Sequence, residues 1–79
     1  MEVEGMIKDS KELEFAVFCI EGVAERLGVG SEDVYSALTD RSDILHGYII
    51  PGYEVLHTQG KRYIVDDIIE VMKERGIVL

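Results

Sequence analysis

Leu13, Ala16, Val17, Ile20, Val23, Ala24 and Leu27 recur three and four positions apart, a spacing that places them on one face of an α-helix of roughly five turns. Strands would need strict alternation instead. Both ends of this helix carry stop signals. Asp9 can accept from the free N–H groups of the first turn while Glu12, three residues on, reaches back, the reciprocal logic of a capping box. At the far end Gly28 supplies a left-handed position, Arg26 sits in the last turn, and Val29 is placed for the hydrophobic contact of a Schellman-type stop. The helix has a second apolar side, where Phe15, Phe18 and Cys19 surround Gly22 and Glu14, Glu21 and Glu25 run along one border. A helix apolar on two faces is either covered twice within its own domain or keeps one face for a partner. In both cases Gly22, lacking a Cβ, lets another backbone come close.

Downstream, Ser31 is expected to cap a second helix, with Glu32 and Asp33 favourable in its first turn. Val34, Ala37 and Leu38 form its inner face and Tyr35 its flank. After Asp40-Arg-Ser-Asp43, the apolar Ile44, Leu45, Tyr48 and Ile49 predict a short helical turn within 43–50. Pro51 disfavours helical geometry at Ile50 and should end that turn. Pro51 also suits the first position of a further short helix over 52–59, carrying Tyr53, Val55 and Leu56 and ending near Gly60. The last helix, about 61–75, puts Ile64, Val65, Ile68, Ile69, Val71 and Met72 inside and Arg62, Asp66, Glu70, Lys73 and Glu74 outside. Arg75-Gly76-Ile77 then repeats the stop of the first helix. The expected fold is all-α: a compact bundle of two long and two or three short helices, with residues 1–8 as a tail and 9–79 as a single helical domain. A chain of 79 residues buries only about 60–65% of its unfolded surface, so each core residue matters.

Sixteen acids against eight bases give a net charge of −8. The excess is uneven: residues 1–40 hold ten acids and three bases, residues 41–79 six and five. Ala24, Gly28 and Val34 have the register of a helix-turn-helix, so a DNA-binding regulator is one reading. Against it, the second helix displays Glu32, Asp33, Ser36, Thr39 and Asp40 with no base before Arg41, whereas phosphate contact needs clustered cations. A basic protein partner is the better match, unless the acids serve only solubility.

No chemistry is legible. His46, His57, Asp43, Asp66 and Asp67 lack the i, i+4 spacing of helix-borne metal ligands. Cys19, with no basic neighbour, reads as a small buried hydrophobe rather than a nucleophile. A phosphate-binding loop and a nucleophile elbow are both missing. The expectation is therefore no enzyme, no cofactor and no metal. The longest apolar run, 15–20, is too short to span a bilayer. With a single cysteine and no positively charged start, a cytoplasmic protein is expected.

The strings Glu14-Phe-Ala-Val-Phe-Cys-Ile-Glu21, Tyr48-Ile-Ile-Pro51, Leu56-His-Thr-Gln-Gly60 and Tyr63-Ile-Val-Asp-Asp-Ile68, with Val34-Tyr35 and Tyr53, give the chain over about residues 9–75 its resemblance to a small bacterial family, the domain of unknown function 3791. The resemblance implies no activity. Such proteins are encoded beside a small domain that resembles a toxin-like ADP-ribosyltransferase, which implies an antitoxin-like binding role. His57, Thr58, Gln59, Asp66 and Asp67 lie in the most specific strings and form a candidate surface, although 57–60 is equally a helix-ending turn whose side chains satisfy free carbonyls. The resulting expectation is an interaction module whose surface comprises Glu14, Phe15, Phe18, Glu21, Gly22 and Glu25. A homodimer crossing near Gly22 is the alternative to internal cover of that face.

Overall fold

The computed structural model describes residues 10–79, so the tail over 1–8 and the Asp9 cap lie outside the described residues. Four α-helices and one π-helical turn follow in order: α1 Ser10–Leu27, α2 Ser31–Thr39, the π turn Leu45–Ile49, α3 Tyr53–Leu56 and α4 Lys61–Glu74. No strand occurs among the described residues, and the all-α expectation holds.

Helix α1 is central because it packs against both α2 and α4. Its Ala16, Cys19, Ile20 and Val23 are sealed off from solvent, as are Val34, Ala37 and Leu38 of α2. Ile64, Val65, Ile68 and Met72 of α4 complete that core, joined by Ile44, Leu45, Ile49, Leu56 and Ile77 from the shorter segments. The stripe of α1 outruns its cover at the C-terminal end, where Leu27 is 40% exposed.

Both glycine stops form. Gly28 takes a φ of 69° and the Val29 N–H donates to the Ala24 carbonyl at 3.0 Å. Gly76 takes 73°, while the N–H groups of Ile77 and Gly76 donate to Met72 and Lys73 at 2.9 and 3.0 Å. These are the paired bonds of a Schellman motif, and Ile77 is buried against the core as that motif requires.

Three boundaries differ from expectation. Gly30, extended at φ −72° and ψ 147°, is the N-cap of α2, and no side chain caps it. Ser31 is already the first helical residue, because the Gly28 stop lets the chain re-enter a helix after a three-residue turn. Ile50 is right-handed helical at φ −66° and ψ −49° despite preceding proline. The π turn accounts for this: the Ile50 N–H reaches five residues back to Leu45 at 2.9 Å. That widened turn moves the carbonyls away from where the Pro51 ring would otherwise collide. The chain therefore keeps turning through Pro51, Gly52 becomes the cap of α3, and α3 ends at Leu56, well before Gly60. Of the apolar residues placed on α3, Leu56 is buried, Tyr53 half-buried and Val55 70% exposed.

Candidate functional site

At the Phe15 end of its second apolar side α1 meets α3, and the meeting is aromatic. Phe15 stacks on Phe18 at 6.3 Å between ring centroids and receives Tyr53 edge-on at 5.3 Å and 76°. Tyr53 in turn stacks on His57 at 4.4 Å, the planes within 11° of parallel. Phe15 is buried in this cluster, whereas Phe18 keeps 39% of its surface in solvent. The rings, with Lys11 and Glu14, line a shallow groove of about 380 Å³ between the two helices.

The segment before α3 aims these rings. A Cβ at Gly52 would stand 2.7 Å from the Tyr48 carbonyl oxygen, so the tight entry into α3 depends on glycine there. His57 Nδ1 lies 2.6 Å from the Tyr53 carbonyl oxygen. A carbonyl can only accept, so Nδ1 carries the hydrogen and the neutral ring is left with the Nε2 lone pair as its acceptor. His57 itself is exposed.

The charge around α1 divides along its length. Glu14, Phe18, Glu21 and Glu25 follow one another at spacings of four, three and four, an outward stripe that Phe18 interrupts. Toward the C-terminal end Lys61 of α4 compensates it, 3.7 Å from Glu25, while Arg26 of α1 is taken up by Asp66 of α4. Glu14 and Glu21 are exposed and make no salt bridge among the described residues. The uncompensated acids are therefore the ones beside Phe18.

The other candidate residues are spoken for elsewhere. Gly22 is buried, and a Cβ on it would fall 2.8 Å from Val65 Cγ2, so the close approach it permits is made by α4 of the same chain. Thr58 Oγ1 donates to the Val55 carbonyl at 2.7 Å and the Gln59 N–H to Leu56 at 3.0 Å, which closes the end of α3. Asp66 holds Arg26, while Asp67 accepts from the Tyr48 hydroxyl. That hydrogen bond, reinforced by burial, pushes the Tyr48 phenol up to about 12. Of the residues singled out in the 57–67 region, only His57 reaches the groove. Asp43 binds Arg75 at 2.6 Å, and that bond with the guanidinium charge holds its carboxyl below the usual range. No three His, Cys, Asp or Glu side chains among the described residues gather as a metal site. Cys19 is buried, which pushes its thiol up to about 12.

Lys11 and Tyr53 are the two groove residues that sequence reasoning missed, and Tyr53 is the one that joins α3 to α1. Its contact with Phe15 spans 38 positions and follows no periodicity, although Tyr53 and His57 sit at the i, i+4 spacing that stacks rings on a helix. No described helix is long and apolar enough to cross a membrane.

No curated protein and no solved structure matches this chain. A family model described as "Protein of unknown function (DUF3791)" matches residues 14–75, a stretch that runs from Glu14 at the groove through the end of α4. That match takes in most of the chain, with α1 from Glu14 onward and each later helix among the described residues, and the protein belongs to this family.

Proposed function

We propose that this protein is an acidic helical interaction module that holds a basic segment of a protein partner against α1 and α3. The observation that carries this reading is Phe18: a large aromatic ring left 39% exposed between two uncompensated glutamates and beside the Tyr53–His57 stack. Cations are drawn to aromatic faces and to carboxylates alike, and Phe18 with Glu14 and Glu21 offers both within one turn either way. An antitoxin-like role is a special case, in which the partner is a basic toxin.

The α1–α2 pair, joined by a three-residue turn, supports DNA binding as a second reading. Charge opposes it: α2 exposes Glu32 and Asp33, and the nearby Arg41 is turned to the Val78 carbonyl at 3.2 Å. Affinity capture with the intact chain from its native host, followed by mass spectrometry, should recover a basic protein. Glu14→Lys with Glu21→Lys should abolish the capture. Retention of the same partner by that variant, salt-sensitive retention of duplex DNA, or a homodimer that Phe18→Asp dissociates would overturn the reading.

A further inference from the structure

We infer that the groove between α1 and α3 seats an arginine side chain of that partner in preference to a lysine, and that protonation of His57 releases it. This rests on the interaction reading above and narrows it to one side chain. Three features converge on a flat, donor-rich cation. The exposed Phe18 ring offers an aromatic face, and a guanidinium stacks on such a face while remaining free to donate at its edge, which a strongly hydrated ammonium does less well. Glu14 lines the same groove and supplies a carboxylate. His57, its Nδ1 hydrogen committed to the Tyr53 carbonyl, can present only the bare Nε2 as an acceptor. A carboxylate and a bare Nε2 beside an aromatic ring suit a guanidinium, which has five donors and no acceptor and competes for them with Lys11 and the Tyr53 hydroxyl on the same lining.

The charged groups lining the groove with His57 are Lys11 and Glu14 of α1, and the titratable group beside it on its own helix is Tyr53. Lys11 already has an interaction of its own, so Glu14 is left to pair with the incoming cation. A proton on Nε2 removes an acceptor and adds a like charge in one step. Binding should weaken on acidification.

The test is an NMR titration of the intact chain with two blocked Gly-Ser peptides, identical except that one carries arginines and the other lysines, at about 150 mM salt. The arginine peptide should bind at least about fivefold more tightly, with shifts centred on Phe18, Tyr53 and His57, and Phe18→Ala should weaken it about tenfold. Lowering the pH from about 8 to about 5 should weaken binding to the wild type and leave His57→Gln nearly unaffected. Equal affinity for both peptides, lost alike in Phe18→Ala, would defeat the arginine preference while leaving the interaction module standing. Wild type and His57→Gln losing affinity in parallel on acidification would defeat the switch. No binding of either peptide would overturn the inference and count against the groove as the contact surface.

Discussion

The three longer helices and the segment over 43–60 both bury side chains, but they are held by different means. In α1, α2 and α4 the buried residues repeat along regular faces, and two glycine stops trim the long helices. Each buried residue there is supported by others a turn away on the same helix. The 43–60 segment contributes Ile44, Leu45, Ile49 and Leu56 through a π turn and a single turn of α-helix, its backbone bonds being local turns of three to five residues rather than one long ladder. It is anchored by side chains: Ser42 donates to the Ala37 carbonyl at 2.8 Å, Asp43 grips Arg75, and Tyr48 donates to Asp67. The regular region supplies stability and the irregular one supplies aim, since it carries Tyr53 and His57 to the groove.

The largest effects should separate these roles. Ile20→Ala, at the fully buried centre of α1, should cost about 3–5 kcal/mol in urea unfolding, enough to leave a domain of this size mostly unfolded. Leu56→Ala should cost about 2 kcal/mol, because the neighbours of an isolated turn can close on the gap. Equal costs would show that α3 is bound into the core as tightly as α1.

Three glycines sharpen the contrast further. At Gly22 a Cβ meets Val65 Cγ2 at 2.8 Å inside the α1–α4 contact, and at Gly52 it meets backbone at 2.7 Å. Each alanine should therefore destabilise by about 1–2 kcal/mol, the strain outweighing the gain in helix propensity. At Gly47 the same 2.8 Å contact is with Oδ2 of Asp43, an exposed carboxylate that can shift at the cost only of its surface pair with Arg75. Gly47→Ala should be within about 0.5 kcal/mol of wild type by thermal unfolding, and a large loss there would mean the π turn tolerates no added bulk.

Alkaline titration probes the anchors. Tyr48 and Cys19 both have phenol or thiol groups raised to about 12 in the folded chain. A raised value means the folded state keeps its proton where the unfolded chain has released it, so this stability is complete below the unfolded values and falls away as the pH climbs toward 12. Tyr48→Phe should flatten the tyrosine part of that decline, and an unchanged pH profile would show that the Asp67 bond contributes nothing. The smallest effect is expected of Phe18→Ala, within about 0.5 kcal/mol by the same melts, as befits a ring kept for contact rather than for the core.

Much of the regular region was legible from local patterns. The spacing of Leu13 to Leu27 and of Ile64 to Met72, with Gly28 and Gly76, is written in neighbouring residues, and the helices follow it closely. The cap of α2 was misread because the Gly28 stop leaves room for one extended residue, which falls on Gly30 rather than Ser31. The turn before Pro51 was misread because its widening depends on the burial of Ile44, Leu45 and Ile49 against other helices, not on local propensity. The candidate surface was half visible: Glu14, Phe18 and Glu21 declare themselves on one helix. That His57 belongs with them depends on where α3 lands, and Gly22 leaves them because α4 occupies it.

Cys19, at the middle of α1 and without exposed surface, gives the chain a built-in clock. An alkylating reagent can reach its sulfur only when α1 parts from its cover, so the labelling rate counts openings of the native fold. Since this is the single cysteine in the sequence, the signal is uncontaminated, and the ratio of that rate to the rate in denaturant converts directly into an opening free energy. A bound partner that never touches Cys19 would slow the clock by the amount it stabilises the closed fold.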